Sequence, residues 1–172
     1  LWKQGVKFSK HFTAGVACTP SRGVLVTGLY TQQTWMMQTL KGTPDTKVSI
    51  PPELDPLFPT YGKLLRKAGY QTPYAGKWHL SLLHAKAALE PYGFDGLTVP
   101  DPTGANLQGT IGDQANGYLS DADVAVQAAS WLSTRASGDQ PWCLTVSFAN
   151  PHDHEFFWAG TEFQTYSNLF GA

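Results

Sequence analysis

A cysteine and an arginine lie one helical turn apart near the start of the chain, at Cys18 and Arg22. We predict that Cys18 lies at a strand-to-helix turn, where unpaired amide groups and the helix dipole stabilise an anion and favour a reactive nucleophile. The guanidinium of Arg22 offers a fork of donors suited to sulfate or phosphate oxygens. The alternative is a small buried cysteine beside an ordinary surface arginine.

A lysine and a histidine form a second pair, Lys77 and His79, within a run from Tyr70 to Leu80 that we predict to be a strand. Residues two apart on a strand face the same side, so both side chains would project together while Trp78 packs on the opposite side. Such a pair can bind an anion and move a proton. The alternative is a surface lysine and a hydrogen-bonded histidine.

A third polar group, Asn150 to His154, follows another predicted strand. Loops at strand ends often carry binding residues, which makes His152 and His154 candidates. Their His-x-His spacing could also bind a metal, but two ligands without a third are weak evidence for a zinc site.

The other histidines and the second cysteine are expected to have structural roles. His11 and His84 are expected to be structural or solvent-exposed, and Cys143 lies in an apolar predicted strand, where a core position is expected. The sequence leaves open a single disulfide between Cys18 and Cys143.

Three helices are predicted from hydrophobic spacing and from capping residues. The first begins at Thr19-Pro20-Ser21, where Ser or Thr can cap free amides, and ends near Gly28. The second covers Tyr61–Ala68, with an apolar side formed by Leu64, Leu65 and Ala68. The third is capped by Ser120, carries acidic residues in its first turn, and has an apolar face of Val124, Ala125, Ala128, Ala129, Trp131 and Leu132.

Strands and irregular segments are predicted between these helices. Apolar patterning predicts a weak strand over Val6–Thr13 and two more over Tyr70–Leu80 and Trp142–Phe148. Proline- and glycine-rich composition predicts irregular segments over Lys41–Thr60 and Glu90–Gly117. Helices that alternate with apolar strands favour an α/β layer around a parallel or mixed sheet.

Composition sets the remaining limits. The chain has 172 residues, of which 42% are hydrophobic and 15% charged, as in one globular domain with a buried core. The net charge is −1 and the 12 Lys and Arg residues are scattered, which excludes binding to nucleic acid or an anionic membrane by bulk charge. No apolar run approaches the roughly 20 residues that span a bilayer.

Two runs resemble the signatures of the sulfatase family. From Ala17 to Gly28 the chain has Cys-Thr-Pro-Ser-Arg-Gly, an apolar stretch and Thr-Gly, as in the first signature. From Gly69 to Leu80 it looks like the second signature, which ends in Gly-Lys-Trp-His. The stretch Asn150-Pro151-His152-Asp153 resembles one seen in some bacterial sulfatases, and His154 stands where those relatives often have proline.

This resemblance implies an alkaline-phosphatase-like α/β sandwich with a mostly parallel sheet flanked by helices. It implies that a formylglycine-generating enzyme oxidises Cys18 to formylglycine, whose hydrate attacks the sulfur of a small-molecule or glycan sulfate ester. It also implies catalytic roles for Arg22, Lys77 and His79, and sulfate binding by Lys77 and His152.

Members of this family also bind a divalent cation, usually calcium. Its ligands are acidic and amide side chains and an oxygen of the formylglycine, which corresponds to position 18 here. The resemblance places the other ligands before Cys18 and well past His152, outside this chain. We therefore expect residues 1–172 to be a partial catalytic domain that lacks the first strand and the C-terminal part, and to be inactive alone.

Two other functions stay open at this point. A phosphonate monoester or phosphodiester hydrolase of the same superfamily can carry the same Cys-x-Pro-Ser-Arg run, and a non-catalytic protein could keep the motif as a scaffold. The sequence also leaves open the alcohol part of the substrate and the choice among periplasm, cytoplasm and secretion.

Overall fold

A computed structural model of the chain describes residues 5–40, 53–82, 85–99 and 120–152. Within these ranges the α-helices are α1 (Cys18–Thr27), α2 (Thr31–Thr34), α3 (Tyr61–Lys67) and α4 (Asp121–Ser133), and a 3-10 helix covers Lys86–Tyr92. The strands are β1 (Pro73–Gly76), β2 (Asp95–Gly96) and β3 (Thr145–Ser147). No helix in these ranges is long and apolar enough to cross a membrane.

The three strands form one parallel sheet in the order β2-β1-β3. Gly76 pairs with Ser147, so β1 and β3 end at the same level. Helix α4 precedes β3 in the chain and packs against both β1 and β3. The predicted α/β class is therefore confirmed, and the segments that follow β1 and β3 begin at one edge of the sheet.

Aromatic side chains form the centre of the core beside β1. Trp78, Tyr74 and Phe94 are almost fully buried. The Trp78 ring lies edge-on to the other two, with ring centroids 5.5 Å from Tyr74 and 5.7 Å from Phe94, a favourable arrangement for aromatic pairs. Because Trp78 is held in the core, the backbone on either side of it, at Lys77 and His79, is anchored as well.

The first predicted helix is confirmed as α1, although it is not capped as expected. Its N-cap residue is Ala17, and no side chain caps the free amides. The hydroxyl of Thr19 bonds to a distant part of the chain instead. The helix ends at Gly28, whose φ of +70° suits glycine and whose amide donates to the Val24 carbonyl at 2.8 Å.

The second predicted helix is confirmed as α3, but its packing differs from the prediction. Leu64 is 61% exposed and Ala68 is also exposed. The buried residue is Gly62, where a Cβ would overlap the ring of Phe94. The helix therefore approaches the core through the residue with the smallest side chain rather than through its leucines.

The third predicted helix is confirmed as α4, and Ser120 caps it as expected. The Ser120 hydroxyl accepts a hydrogen bond from the Asp123 amide at 3.3 Å, and the Asp123 carboxylate accepts one from the Ser120 amide at 3.3 Å. Val124 and Ala128 are buried, whereas three members of the predicted apolar face are exposed: Ala125, Ala129 and Leu132. The contact with β1 and β3 covers only a narrow stripe of the helix.

The predicted strand over Val6–Thr13 is wrong. This segment has neither helix nor strand, and Val6, Phe8 and Phe12 are exposed. Alternation predicts a strand only where a partner strand and a core surface are available, and no described strand pairs with this segment.

Both other predicted strands are shorter than expected. Only Pro73–Gly76 of the run from Tyr70 to Leu80 forms β1, and only Thr145–Ser147 of the run from Trp142 to Phe148 forms β3. The reason for the early end of β1 is Gly76, whose φ is +93° and where a Cβ would overlap the carbonyl oxygen of Ser147.

The two predicted irregular segments fall partly outside the described residues. Residues 53–60 have no helix or strand, as expected, whereas 41–52 lie outside the described ranges. The prediction for Glu90–Gly117 is wrong at its start, because the 3-10 helix continues to Tyr92 and β2 follows at Asp95–Gly96. Residues 100–119 also lie outside the described ranges.

Candidate functional site

Cys18 is the first residue of α1, and its side chain is partly exposed. It therefore lies at a helix start, as predicted, although no strand precedes it within residues 5–17. Cys18 and Cys143 are both free thiols, so the disulfide between them is not formed. Cys143 is only partly buried, and its predicted core position is wrong because it precedes β3 at the edge of the described sheet.

Thr19 joins the start of α1 to the segment that follows β1. Its side chain is fully buried, and its hydroxyl donates to the His79 carbonyl at 3.0 Å and accepts from the Leu40 amide at 3.0 Å. The Nε2 atom of His79 lies 3.1 Å from the Leu40 carbonyl oxygen. These bonds hold His79 beside the residue that follows Cys18.

Arg22 makes a second connection between the same two segments. Its Nε donates to the Trp78 carbonyl at 2.7 Å, and its Nη2 donates to the Tyr74 hydroxyl at 2.8 Å and to the Ser147 hydroxyl at 2.9 Å. Nη2 also donates to the Lys77 carbonyl. These acceptors are protein oxygens, so Arg22 fixes the loop after β1 against α1 and β3; its contact with sulfate stays a prediction.

Lys77 and His79 lie in the loop after β1, so the prediction that they share one face of a strand is wrong. The Lys77 amide donates to the Ser147 carbonyl at 2.7 Å, which fixes its backbone to β3. His79 is only 7% exposed and has a φ of +55°, which is uncommon for residues other than glycine. A backbone of this kind persists where its surroundings hold it, as Thr19 does here.

The side chain of Lys77 is partly exposed. Its ammonium group makes no ion pair with any residue of the described ranges, where the ion pairs join Arg66 to Glu90 and Asp95. Lys77 thus brings a positive charge to the loop after β1 that no acidic residue of the described ranges neutralises.

His152 lies in the turn after β3, and its side chain is partly buried. Its amide donates to the Ala149 carbonyl at 3.1 Å. The amides of Ala149 and Asn150 donate in turn to the carboxylate of Asp121, at 2.6 Å and 2.9 Å. His152 is thus attached to the end of β3, where the Lys77 backbone is also attached. Asp153 and His154 lie outside the described residues.

Tyr61, the first residue of α3, is a partly buried ionisable group that contacts β3. Burial raises the pKa of Tyr61 to about 12, an effect that its hydrogen bond to the Thr145 hydroxyl at 2.7 Å and the nearby Arg22 charge partly oppose. Tyr61 therefore stays neutral at ordinary pH, and its hydroxyl supports β3 rather than supplying an acid or base. Among the other candidates, His11 is exposed, as expected, and His84 lies outside the described ranges.

Four residues that connect the candidate site residues do not follow from the sequence motifs: Thr19, Tyr74, Asp121 and Ser147. The sequence predicts Asp121 only as a negative charge at a helix N-terminus, and Thr19 only as part of a helix start. Their actual partners are many residues away in the chain, and no local pattern indicates such partners.

A metal site does not follow from the described residues. No three of their His, Cys, Asp or Glu side chains come together in a group that could hold an ion. Around the start of α1, hydroxyl, imidazole, guanidinium and carbonyl groups make the contacts within the described ranges. Calcium takes about six to eight oxygens, commonly with several carboxylates. The described residues by themselves do not fit a calcium ion.

The chain is similar to several proteins named as sulfatases. The chain is 28% identical to a sulfatase called YidJ from Escherichia coli strain K12, over 91% of this chain and 33% of that protein. It is 27% identical to a choline-sulfatase from Rhizobium meliloti strain 1021, over 89% of this chain and 32% of that protein. The solved structure of yidJ from Bacteroides fragilis matches 96% of this chain and 40% of its own with a TM-score of 0.65 at 18% identity.

The last comparison confirms the predicted alkaline-phosphatase-like fold of sulfatases. The chain spans about a third of the length of the curated relatives named above. The sulfatase family model matches residues 1–171, which is nearly the whole chain. The chain therefore belongs to the sulfatase family.

Proposed function

We propose that the whole protein hydrolyses sulfate esters with a formylglycine derived from Cys18. One observation carries this proposal: two segments about 60 residues apart in the chain are bonded directly to each other. Thr19 and Arg22, which follow the predicted nucleophile in α1, bond to the carbonyls of His79 and Trp78 at 3.0 Å and 2.7 Å. These contacts support a single site built from the Cys18 segment and the segment with Lys77 and His79.

In the proposed reaction, a formylglycine-generating enzyme first converts Cys18 to an aldehyde, which takes up water. One hydroxyl of the hydrate attacks sulfur and the S–O bond to the alcohol breaks, so the alcohol leaves with a proton. The second hydroxyl then loses its proton, the aldehyde re-forms, and sulfate leaves with the first hydroxyl oxygen. The attack on sulfur is thus made by the protein and not by free water.

The described residues have separate tasks in this reaction. Lys77 places a positive charge where sulfate oxygens would lie, and His152 supplies a further sulfate contact, so both stabilise charge that develops in the transition state. His79 bonds the hydrate and receives the proton that is lost in the elimination. Arg22 holds the Lys77 and His79 segment against α1.

A divalent cation, proposed to be calcium, would be held by one oxygen of the formylglycine and by residues outside the described ranges. When bound, such an ion supplies positive charge that polarises an oxygen ligand. The proposed substrate is a small-molecule or glycan sulfate ester, and one relative is named for choline.

The test begins with the mass of the peptide that contains Cys18. The whole protein should be expressed with and without a formylglycine-generating enzyme, and its turnover of an aryl sulfate and of a phosphate diester should be compared. We expect the aldehyde mass and sulfatase activity only with the modifying enzyme. Preferred cleavage of the diester would favour the phosphonate and phosphodiester alternative, and an unmodified, inactive Cys18 would favour a scaffold.

A further inference from the structure

The carboxylate of Asp121 binds the turn that carries His152. Asp121 is the first residue of α4, and its two oxygens accept hydrogen bonds from the amides of Ala149 at 2.6 Å and Asn150 at 2.9 Å. Hydrogen bonds to an ionised carboxylate are stronger than those between neutral groups. This side chain thus forms a two-point contact between the start of a helix and the turn after β3.

Asp121 is not needed to cap its own helix. Ser120 and Asp123 form a complete capping box, in which the Asp123 carboxylate also accepts from the Ser120 hydroxyl at 2.7 Å. Both acidic residues lie in the first turn of α4, where a negative charge interacts favourably with the helix dipole. What distinguishes Asp121 from Asp123 is therefore its contact with the Ala149 and Asn150 amides.

These two amides lie beyond the described sheet. The pairing of β1 with β3 ends at Gly76 and Ser147, so the ladder between these two strands offers no carbonyl to Ala149 or Asn150. The turn continues directly to His152, whose amide donates to the Ala149 carbonyl at 3.1 Å. Ala149 therefore links the two residues. Its amide donates to the Asp121 carboxylate, and its carbonyl accepts from the His152 amide.

We propose that Asp121 is a positioning residue, which sets the place of the His152 imidazole at the carboxyl edge of the sheet. The inference rests on the proposed function, because His152 matters there as a sulfate contact. The support for Asp121 is rigid, since α4 packs against β1 and β3 through Val124 and Ala128. A fixed carboxylate on a packed helix can hold a turn to within the small distances that substrate positioning requires.

The test compares Asp121→Asn with Asp123→Asn in the whole, modified protein. Each change removes one negative charge from the same helical turn. In Asp121→Asn, one carboxylate oxygen becomes an NH₂ group, so one backbone amide faces a donor. We expect Asp121→Asn to lower kcat/KM for an aryl sulfate roughly 10- to 100-fold, and we expect Asp123→Asn to lower Tm while changing kcat/KM little.

A double-mutant cycle separates positioning from general damage. In a His152→Ala background, Asp121→Asn should add little to the loss, because the group that it positions is already gone. The same loss in both backgrounds, or an equal loss from Asp123→Asn, would overturn the inference.

Hydrogen exchange keeps the two proposals distinguishable. Asp121→Asn should speed exchange of the Ala149 and Asn150 amides, whereas Asp123→Asn should leave them protected. Unchanged exchange in Asp121→Asn overturns the inference even if the protein is an active sulfatase. A protein that cleaves no sulfate ester overturns the proposed function instead. Full activity of the His152→Ala protein overturns both the proposed role of His152 and the inference that Asp121 positions it.

Discussion

Arg22 shows how one side chain can join three separate parts of a site. Its guanidinium reaches the loop after β1 at Trp78 and the end of β3 at Ser147, while its backbone lies in α1. A lysine has one charged nitrogen and cannot copy the geometry of Nε and Nη2 together. The exchange of arginine for lysine therefore tests geometry while the charge is kept.

We predict that Arg22→Lys lowers the free energy of unfolding by about 2–3 kcal/mol, since charge-assisted hydrogen bonds to partly buried acceptors are lost. We also expect a fall in kcat/KM, because the loop with Lys77 and His79 is no longer fixed. Chemical denaturation and steady-state kinetics would measure the two effects.

The matched control for Arg22 is Arg135→Lys. Arg135 lies over the Trp131 ring at 4.4 Å and bonds to the Gln71 side chain at 3.0 Å, and neither of these partners belongs to α1 or to the loop after β1. This change should cost stability at most slightly and leave kinetics as they are. An Arg22→Lys protein that is as stable and as active as the Arg135→Lys protein would contradict the role given to Arg22.

Gly76 decides where β1 ends and therefore where the loop with Lys77 begins. Its φ of +93° and its close approach to the Ser147 carbonyl exclude any side chain. The sequence predicts a strand that extends to Leu80, because nothing in the residues around Gly76 indicates its positive φ. Local patterns correctly predict the end of α1 at Gly28 and the start of α4 at Ser120, since both depend on neighbouring residues.

We predict that Gly76→Ala destabilises the protein by about 3 kcal/mol or more, because a strained backbone adds to an overlap with β3. Gly138→Ala is the matched control: its φ is +94°, but nothing lies within 4 Å of the added Cβ. This control should cost only about 1 kcal/mol. Thermal unfolding of both variants would check the difference, and equal losses would show that the contact with Ser147 is unimportant.

The stability contributed by Tyr61, which joins α3 to β3, should decrease at alkaline pH. Burial raises the pKa of Tyr61 to about 12 in the folded protein. The neutral form is therefore favoured by folding, and this contribution is fully present below the ordinary tyrosine pKa of about 10 and lost as pH rises from there through 12.

We predict that stability falls more steeply between pH 10 and pH 12 in the natural protein than in Tyr61→Phe, by at most roughly 2 kcal/mol. Tyr70→Phe is the control, because Tyr70 lies at the surface. Urea unfolding at a series of pH values would show it. Parallel pH curves for all three proteins would rule out the proposed effect of burying Tyr61.

At the scale of the whole molecule, the described residues join the proposed site residues to one another without supplying a set of metal ligands. Thr19 and Arg22 hold α1 against the loop after β1, and Asp121 holds the turn after β3. The sequence predicted the candidate residues through their motifs. It could not predict these long-range contacts, since they arise only when β1 and β3 pair.

We predict that the isolated segment 1–172 binds calcium weakly, because about six to eight oxygen ligands are needed and the described residues supply no carboxylate cluster. The whole, modified protein should bind one calcium ion much more tightly. Calorimetric titration of both would measure this, with circular dichroism to verify that the segment is folded. A tight single site in the segment alone would contradict the prediction.

The hydrogen bond between Arg22 and Ser147 also limits when this part of the structure can form during protein synthesis. Its partners are 125 residues apart in the chain. At a synthesis rate of about 5–20 residues per second, Ser147 leaves the ribosome roughly 6–25 s after Arg22. During this interval the segment with Cys18 lacks its final partners, so a newly made chain exposes Cys18, the proposed nucleophile, before the contacts around Arg22 can form.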